Sequence, residues 1–158
     1  MLSRTLITPR AQWYTLRARA EAIRALERLR RRSTKERLIV FDPALMGFSG
    51  HHIELARIIK TGLSAAFDVR LYANFEAANR IVAELRAQPI CHGTLYVQSD
   101  DFRAANEQQR LFLTSALRKI DLSLLSPRTI FVMHTVTIYQ LAGLAEWYSG
   151  LPPAHRPK

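Results

Sequence analysis

Residues 38–52 read Leu38-Ile39-Val40-Phe41-Asp42-Pro43-Ala44-Leu45-Met46-Gly47-Phe48-Ser49-Gly50-His51-His52, and their order decides the fold. Four apolar residues in succession have no polar face, the pattern of a strand buried on both sides in a parallel sheet. Asp42-Pro43 ends the run. Pro43, Gly47, Ser49 and Gly50 make a turn-rich loop. A helix is expected from His51 to Ser64, with Ile53, Ala56, Ile58 and Ile59 on its apolar side. Strand, glycine loop and helix in that order form the first unit of an alternating α/β domain.

Downstream the alternation repeats. Phe67, Val69 and Leu71 alternate with Asp68, Arg70 and Tyr72, a second and more exposed strand over Phe67–Ala73. Asn74 is expected to cap a helix over Phe75–Ala87, with Ala78, Ile81, Val82 and Leu85 inward and Gln88-Pro89 ending it. Gly93–Gln98 reads as a short third strand. Ser99 or Asp100 then caps a long helix to Leu122 carrying Phe102, Ala105, Leu113, Leu117 and Ile120, and Pro127 stops it. Thr129–Met133 is an apolar strand that ends at His134. Thr137 and Gln140 match a capping box for a helix bearing Leu141, Leu144, Ala145 and Tyr148, closed by Gly150, Pro152 and Pro153. The fold class expected is α/β: a Rossmann-like open parallel sheet of about four strands with flanking helices, preceded by an amphipathic N-terminal helix. A further strand would follow Lys158 in such a fold, so residues 38–158 read either as an incomplete coding region or as one lobe of a larger protein.

The 158 residues carry a formal net charge of +10. Residues 1–37 hold eleven basic and three acidic residues, a local charge of +8, which leaves the body nearly balanced. Trp13, Leu16, Ala20, Ile23, Leu26 and Leu29 recur at helical spacing from about Pro9 to Arg32, with arginines over the remaining surface. Four roles fit this segment: a helix packed on the domain, a membrane-surface helix, a cleaved transit peptide, or nucleic-acid contact. In the membrane or partner role the contacts fall on Trp13, Arg17, Arg24, Arg28 and Arg31. A balanced body gives nucleic-acid binding little support. The single cysteine, Cys91, excludes an internal disulfide and fits a reducing compartment, so a cytoplasmic, membrane-peripheral location is expected. No apolar run is long enough for a transmembrane helix.

The strongest site candidate is the loop from Asp42 to His52. Ligands of open parallel sheets bind outside the carboxyl ends of the strands, and the N–H groups at a helix start favour anions. Gly47 and Gly50 fit neither a P-loop nor a GxGxxG fingerprint. His51 and His52, as successive helix positions, point about 100° apart, which argues against a shared metal. No zinc-ligand spacing occurs, so no metal is expected. His134 ends a strand on the same sheet edge and is the candidate catalytic residue, with Thr135 beside it. Cys91-His92 reads as packing and Asp100-Asp101 as a helix N-terminus.

Leu38-Ile39-Val40-Phe41-Asp42-Pro43, Gly50-His51-His52-Ile53-Glu54-Leu55-Ala56-Arg57 and Thr129-Ile130-Phe131-Val132-Met133-His134-Thr135 resemble segments of the N-terminal lobe of bacterial retaining GT-B glycosyltransferases. The resemblance spans roughly residues 37–157. It implies two Rossmann-like lobes around a cleft and transfer of a sugar from a nucleotide-sugar donor to a sugar or lipid-linked acceptor, with no further cofactor. It places Gly47, Ser49, Gly50, His51, His52 and Thr135 beside the substrates and His134 in the cleft. Ser49 stands where the family commonly has a paired glycine, Leu55 where an aromatic is frequent, and the second lobe has no counterpart in these residues. The alternative reading is a stand-alone Rossmann-like module, attached to an anionic membrane or a partner by its basic helix.

Overall fold

The axis of the sheet is β1 (Glu36–Asp42), in a computed structural model that describes residues 35–47, 50–93 and 100–158. It is followed by α1 (His51–Leu63), β2 (Phe67–Asn74), α2 (Asn79–Leu85), β3 (Gln88–Cys91), α3 (Phe102–Leu117), β4 (Thr129–Met133) and α4 (Ile138–Gly150). Every strand pairing is parallel and the strand order is β3-β2-β1-β4. The expected α/β class and four-stranded open sheet are therefore present. The N-terminal helix, with Trp13, Arg17, Arg24, Arg28 and Arg31, lies outside the described residues, as does Ser49. Among the described residues no helix is long and apolar enough to cross a membrane.

Alternation along β1 builds two cores. Leu38 and Val40 pack with Ile53 and Ala56 of α1 and Ile81 and Leu85 of α2. Ile39 and Phe41 face the other way, against Leu113 and Leu117 of α3 and Trp147 of α4. Helices thus cover both faces, which is why β1 is apolar without a break from Leu38 to Phe41. Each such side chain, fully buried, contributes about 1.5–3 kcal/mol of transfer free energy. The chain changes faces between β3 and β4, where β4 is laid on the far side of β1. On the outer edge of β4, Lys158 donates its N–H to the Thr129 carbonyl and accepts from the Phe131 N–H.

Four elements depart from the sequence expectations. Asn74 does not cap a long helix. It is fully buried, donates through Nδ2 to the carbonyls of Pro43 (3.0 Å) and Gly93 (2.7 Å), and accepts from the Glu76 N–H. The helix then starts only at Asn79. The third strand is Gln88–Cys91 and not Gly93–Gln98, of which residues 94–99 lie outside the described set. Pro89 disguised it: proline lacks a ladder donor and is tolerated here because β3 is an edge strand. The long helix is capped by Asp101, which accepts from the N–H groups of Arg103 and Ala104, and it ends at Leu117 instead of Leu122.

The last departure is the face of α4. Gln140, Gly143 and Trp147 are its buried residues, while Leu141 and Tyr148 are exposed and Leu144 is half-buried. Close approach of α3 explains this. A Cβ at Gly143 would meet the Arg110 carbonyl oxygen at 2.7 Å, so only glycine fits. Beside it the Gln140 Nε2 donates to Gln109 Oε1 (3.0 Å), and the Thr114 hydroxyl donates to the Gly143 carbonyl. Gly143→Ala is expected to lose about 1–3 kcal/mol by overpacking, whereas Gly150→Ala, with open space around its Cβ, leaves stability unchanged or raised. Urea unfolding of the two variants checks this. Equal midpoints would show that α3 and α4 are not in the described contact.

Candidate functional site

Parallel register brings the site together. Phe41 of β1 lies opposite Met133 of β4, so Asp42 and His134 follow as neighbours at the carboxyl ends of the two strands. The His134 N–H donates to the Phe41 carbonyl at 3.1 Å and fixes that step. Both side chains stand on the face covered by α1, because they continue the alternation of Leu38 and Val40 on one strand and Ile130 on the other. The helix α1 begins at His51 immediately above them.

Asp42 is 2% exposed. Its Oδ1 accepts from the Ala44 N–H at 3.0 Å. The Nδ1 of His52 lies 3.0 Å from Oδ1 and 2.9 Å from Oδ2, and the Nδ1 of His134 lies 3.0 Å from Oδ2. A carboxylate only accepts, so both imidazoles donate from Nδ1. That sets the same tautomer in each ring when neutral and leaves Nε2 free. Burying a carboxylate without partners is strongly unfavourable, and here two imidazoles and a backbone N–H offset the lost hydration.

His51 completes a triangle of rings. Its centroid is 4.0 Å from that of His52 and 5.8 Å from that of His134, and the last two are 4.8 Å apart. One ring nitrogen from each of the three lies within 4.8 Å of the others. The 100° between successive helix positions therefore does not keep His51 and His52 apart. Gly50, which leads into His51, has φ 100° and ψ 171°, a conformation open essentially to glycine alone. His51 is exposed, while His52 and His134 are partly covered, so the triangle opens to solvent.

Thr135, next to His134, has φ 61°. A β-branched residue in the left-handed region is a backbone outlier, and such strain clusters at functional sites. The expected loop residues Gly47 and Gly50 are exposed beside the triangle. Their loop is held from behind: Asn74 binds the Pro43 carbonyl and the Ala78 N–H binds the Met46 carbonyl. Asp42 opens the candidate loop, but sequence reading gave it no role of its own. A carboxylate ending a fully apolar strand was its one signal. Cys91 takes no part; its thiol is buried against the Ala73 carbonyl, and burial pushes it up to about 12, far from a reactive thiolate. His92 stacks on Phe75 with ring centroids 4.3 Å apart, outside the triangle.

The position is also the one that topology favours. β2 and β3 lie on one side of β1 and β4 on the other, so the strand order reverses between β1 and β4. Ligands of open α/β sheets bind in the crevice at that switch point, and Asp42, His52 and His134 stand in it. Comparison with protein-family models, curated proteins and solved structures finds no match to the chain.

Asp42→Asn is expected to disturb His52, whose Nδ1 lies within 3.0 Å of both carboxylate oxygens and so faces the amide NH2 in either orientation, and to cost about 1–3 kcal/mol. Long-range ¹H–¹⁵N spectra of the imidazoles report the tautomers. In the native protein the neutral His52 and His134 show Nδ1–H, and one of them changes in the variant. Nε2–H tautomers for both in the native protein would contradict the arrangement.

Proposed function

We propose that residues 38–158 are the acceptor-side lobe of a GT-B type glycosyltransferase, which moves a sugar from a nucleotide-sugar donor to a sugar or lipid-linked acceptor. The observation that carries this reading is the histidine triangle at the topological switch point, where a glycine loop enters α1. Phosphate and hydroxyl oxygens are the groups such a surface suits. The first N–H groups of α1 favour an anion. Gly50 lets the backbone come close to it. Nε2 of His52 and His134 offers a lone pair to a hydroxyl proton, with Asp42 holding the ring behind it. In this reading Gly47, Ser49, Gly50, His51, His52 and Thr135 border the substrates, and His134 meets the reacting hydroxyl. The resemblance of residues 37–157 to the family lobe supplies the sugar chemistry.

Imidazole resonances give the test. Titration with nucleotide diphosphate sugars and with lipid-linked phosphate acceptors is expected to shift His51, His52 and His134. His52→Ala and His134→Ala weaken the response about tenfold or more, the loss of roughly 1.4 kcal/mol or more of a charge-assisted contact. No shift with any member of either panel would overturn the sugar-transfer reading.

The local charge of +8 over residues 1–37 favours a second role, attachment of the domain to an anionic membrane surface. Each basic residue near such a surface contributes about 1 kcal/mol. Sedimentation with vesicles containing phosphatidylserine is expected to capture the full chain at low salt and to release it as salt is raised. Equal capture after deletion of residues 1–32 would exclude the basic segment as the anchor.

A further inference from the structure

We propose that His51, His52 and His134 form a site for a divalent transition-metal ion, with Asp42 as its orienting carboxylate. The inference rests on the geometry of the four side chains and not on the sugar-transfer reading, with which it competes: Nε2 bound to a metal has no lone pair for a hydroxyl proton.

Three imidazoles are the ligand set of open, catalytic-type zinc sites, where the fourth position is left to water or to a ligand oxygen. Here one ring nitrogen from each histidine already lies within 4.8 Å of the others. A metal with bonds of about 2.0–2.1 Å to nitrogen holds tetrahedral ligand nitrogens about 3.4 Å apart. His52 and His134 are held by Asp42, and His51, exposed at the start of α1, is the ring whose adjustment would close the difference.

The second observation is independent of ring proximity. Metal-binding histidines almost always give their other ring N–H to a carboxylate, carbonyl or water, which fixes the tautomer and makes the free nitrogen more basic. Asp42 does this for two rings at once, at 2.9 and 3.0 Å. With Nδ1 of His52 and of His134 held by Asp42, Nε2 is the nitrogen that each ring has left to offer a metal. An all-imidazole set of three selects zinc, cobalt, nickel or copper over magnesium or calcium, which prefer oxygen. The site has a solid floor, since Asp42 is buried and β1 and β4 are paired up to its edge. The metal's open position faces the crevice, where an oxygen of a phosphate or hydroxyl would complete the coordination.

Sequence spacing did not disclose the site. Its ligands come from adjacent positions on a helix and from a strand end 82 residues beyond His52. Sheet register, and not a motif, joins them.

The chain has five histidines, and the other two serve as internal controls. His92 stacks on Phe75, and the Nδ1 of His155 donates to the carbonyls of Leu122 and Leu125. The full chain, stripped with a chelator and transferred to metal-free buffer, is titrated with zinc alone. Calorimetry is expected to find a single ion per chain. Imidazole spectra of the native protein should show His51, His52 and His134 shifting together while His92 and His155 stay. Asp42→Asn weakens binding by about 10–100-fold, and alanine at any of the three ligands weakens it further. Absence of saturable binding overturns the proposal. So does binding that shifts His92 or His155 instead, a result read on the native protein and therefore independent of whether any variant folds. Repeating the nucleotide-sugar titration with and without zinc separates this site from the proposed reaction: zinc binding alone supports the metal site, whatever the sugars do.

Discussion

A single buried carboxylate organises the functional edge of this domain. Asp42 has left water, and its oxygens are satisfied by the Ala44 N–H and by two imidazoles from different elements. Such a group is tolerated only while its partners stay in place, because removing one leaves an uncompensated polar group in the interior. The end of β1, the start of α1 and the end of β4 are thereby tied at one point. The rest of the chain positions these three elements: α2 and Asn74 brace the loop from behind, and the α3–α4 pair buttresses the opposite face of the sheet.

Much of the architecture was legible because it depends on apolar periodicity. β1, β2 and β4 announce themselves by runs or alternation of apolar residues, and α1, α3 and α4 by their three- and four-residue spacing. The misread elements were those where a local polar or backbone signal outweighed that pattern. Asn74 has the chemistry of a helix cap but uses the same groups to bind two distant carbonyls. Pro89 looks like a terminator yet sits in an edge strand that does not need its N–H. On α4 the helix is apolar on several faces, and the buried one was chosen by Gly143, whose missing side chain is invisible to a hydrophobicity count.

The candidate site was legible only as a list of parts. The glycine loop, His51, His52 and His134 could be placed on one sheet edge from the strand–loop–helix order. Their mutual geometry could not, because it depends on which strand lies beside β1. Consecutive numbering would set β2 next to β1 and β4 far away. Only the crossing of the chain to the far side of β1 makes His134 the neighbour of Asp42. The 100° between successive helix positions likewise does not reveal that the rings of His51 and His52 lie side by side, with centroids 4.0 Å apart.

The pairing of β1 with β4 has one more consequence. Side chains alternate between faces along a strand, so a slip of β4 by one residue would turn His134 into the opposite core and present Met133 or Thr135 to Asp42. No intermediate alignment preserves even part of the cluster. The site thus works as a checksum on the sheet: a chain that carries it has paired its last strand correctly. The histidines add a polar check on the register of β4 to the apolar one that Ile130 and Phe131 make by packing on opposite faces.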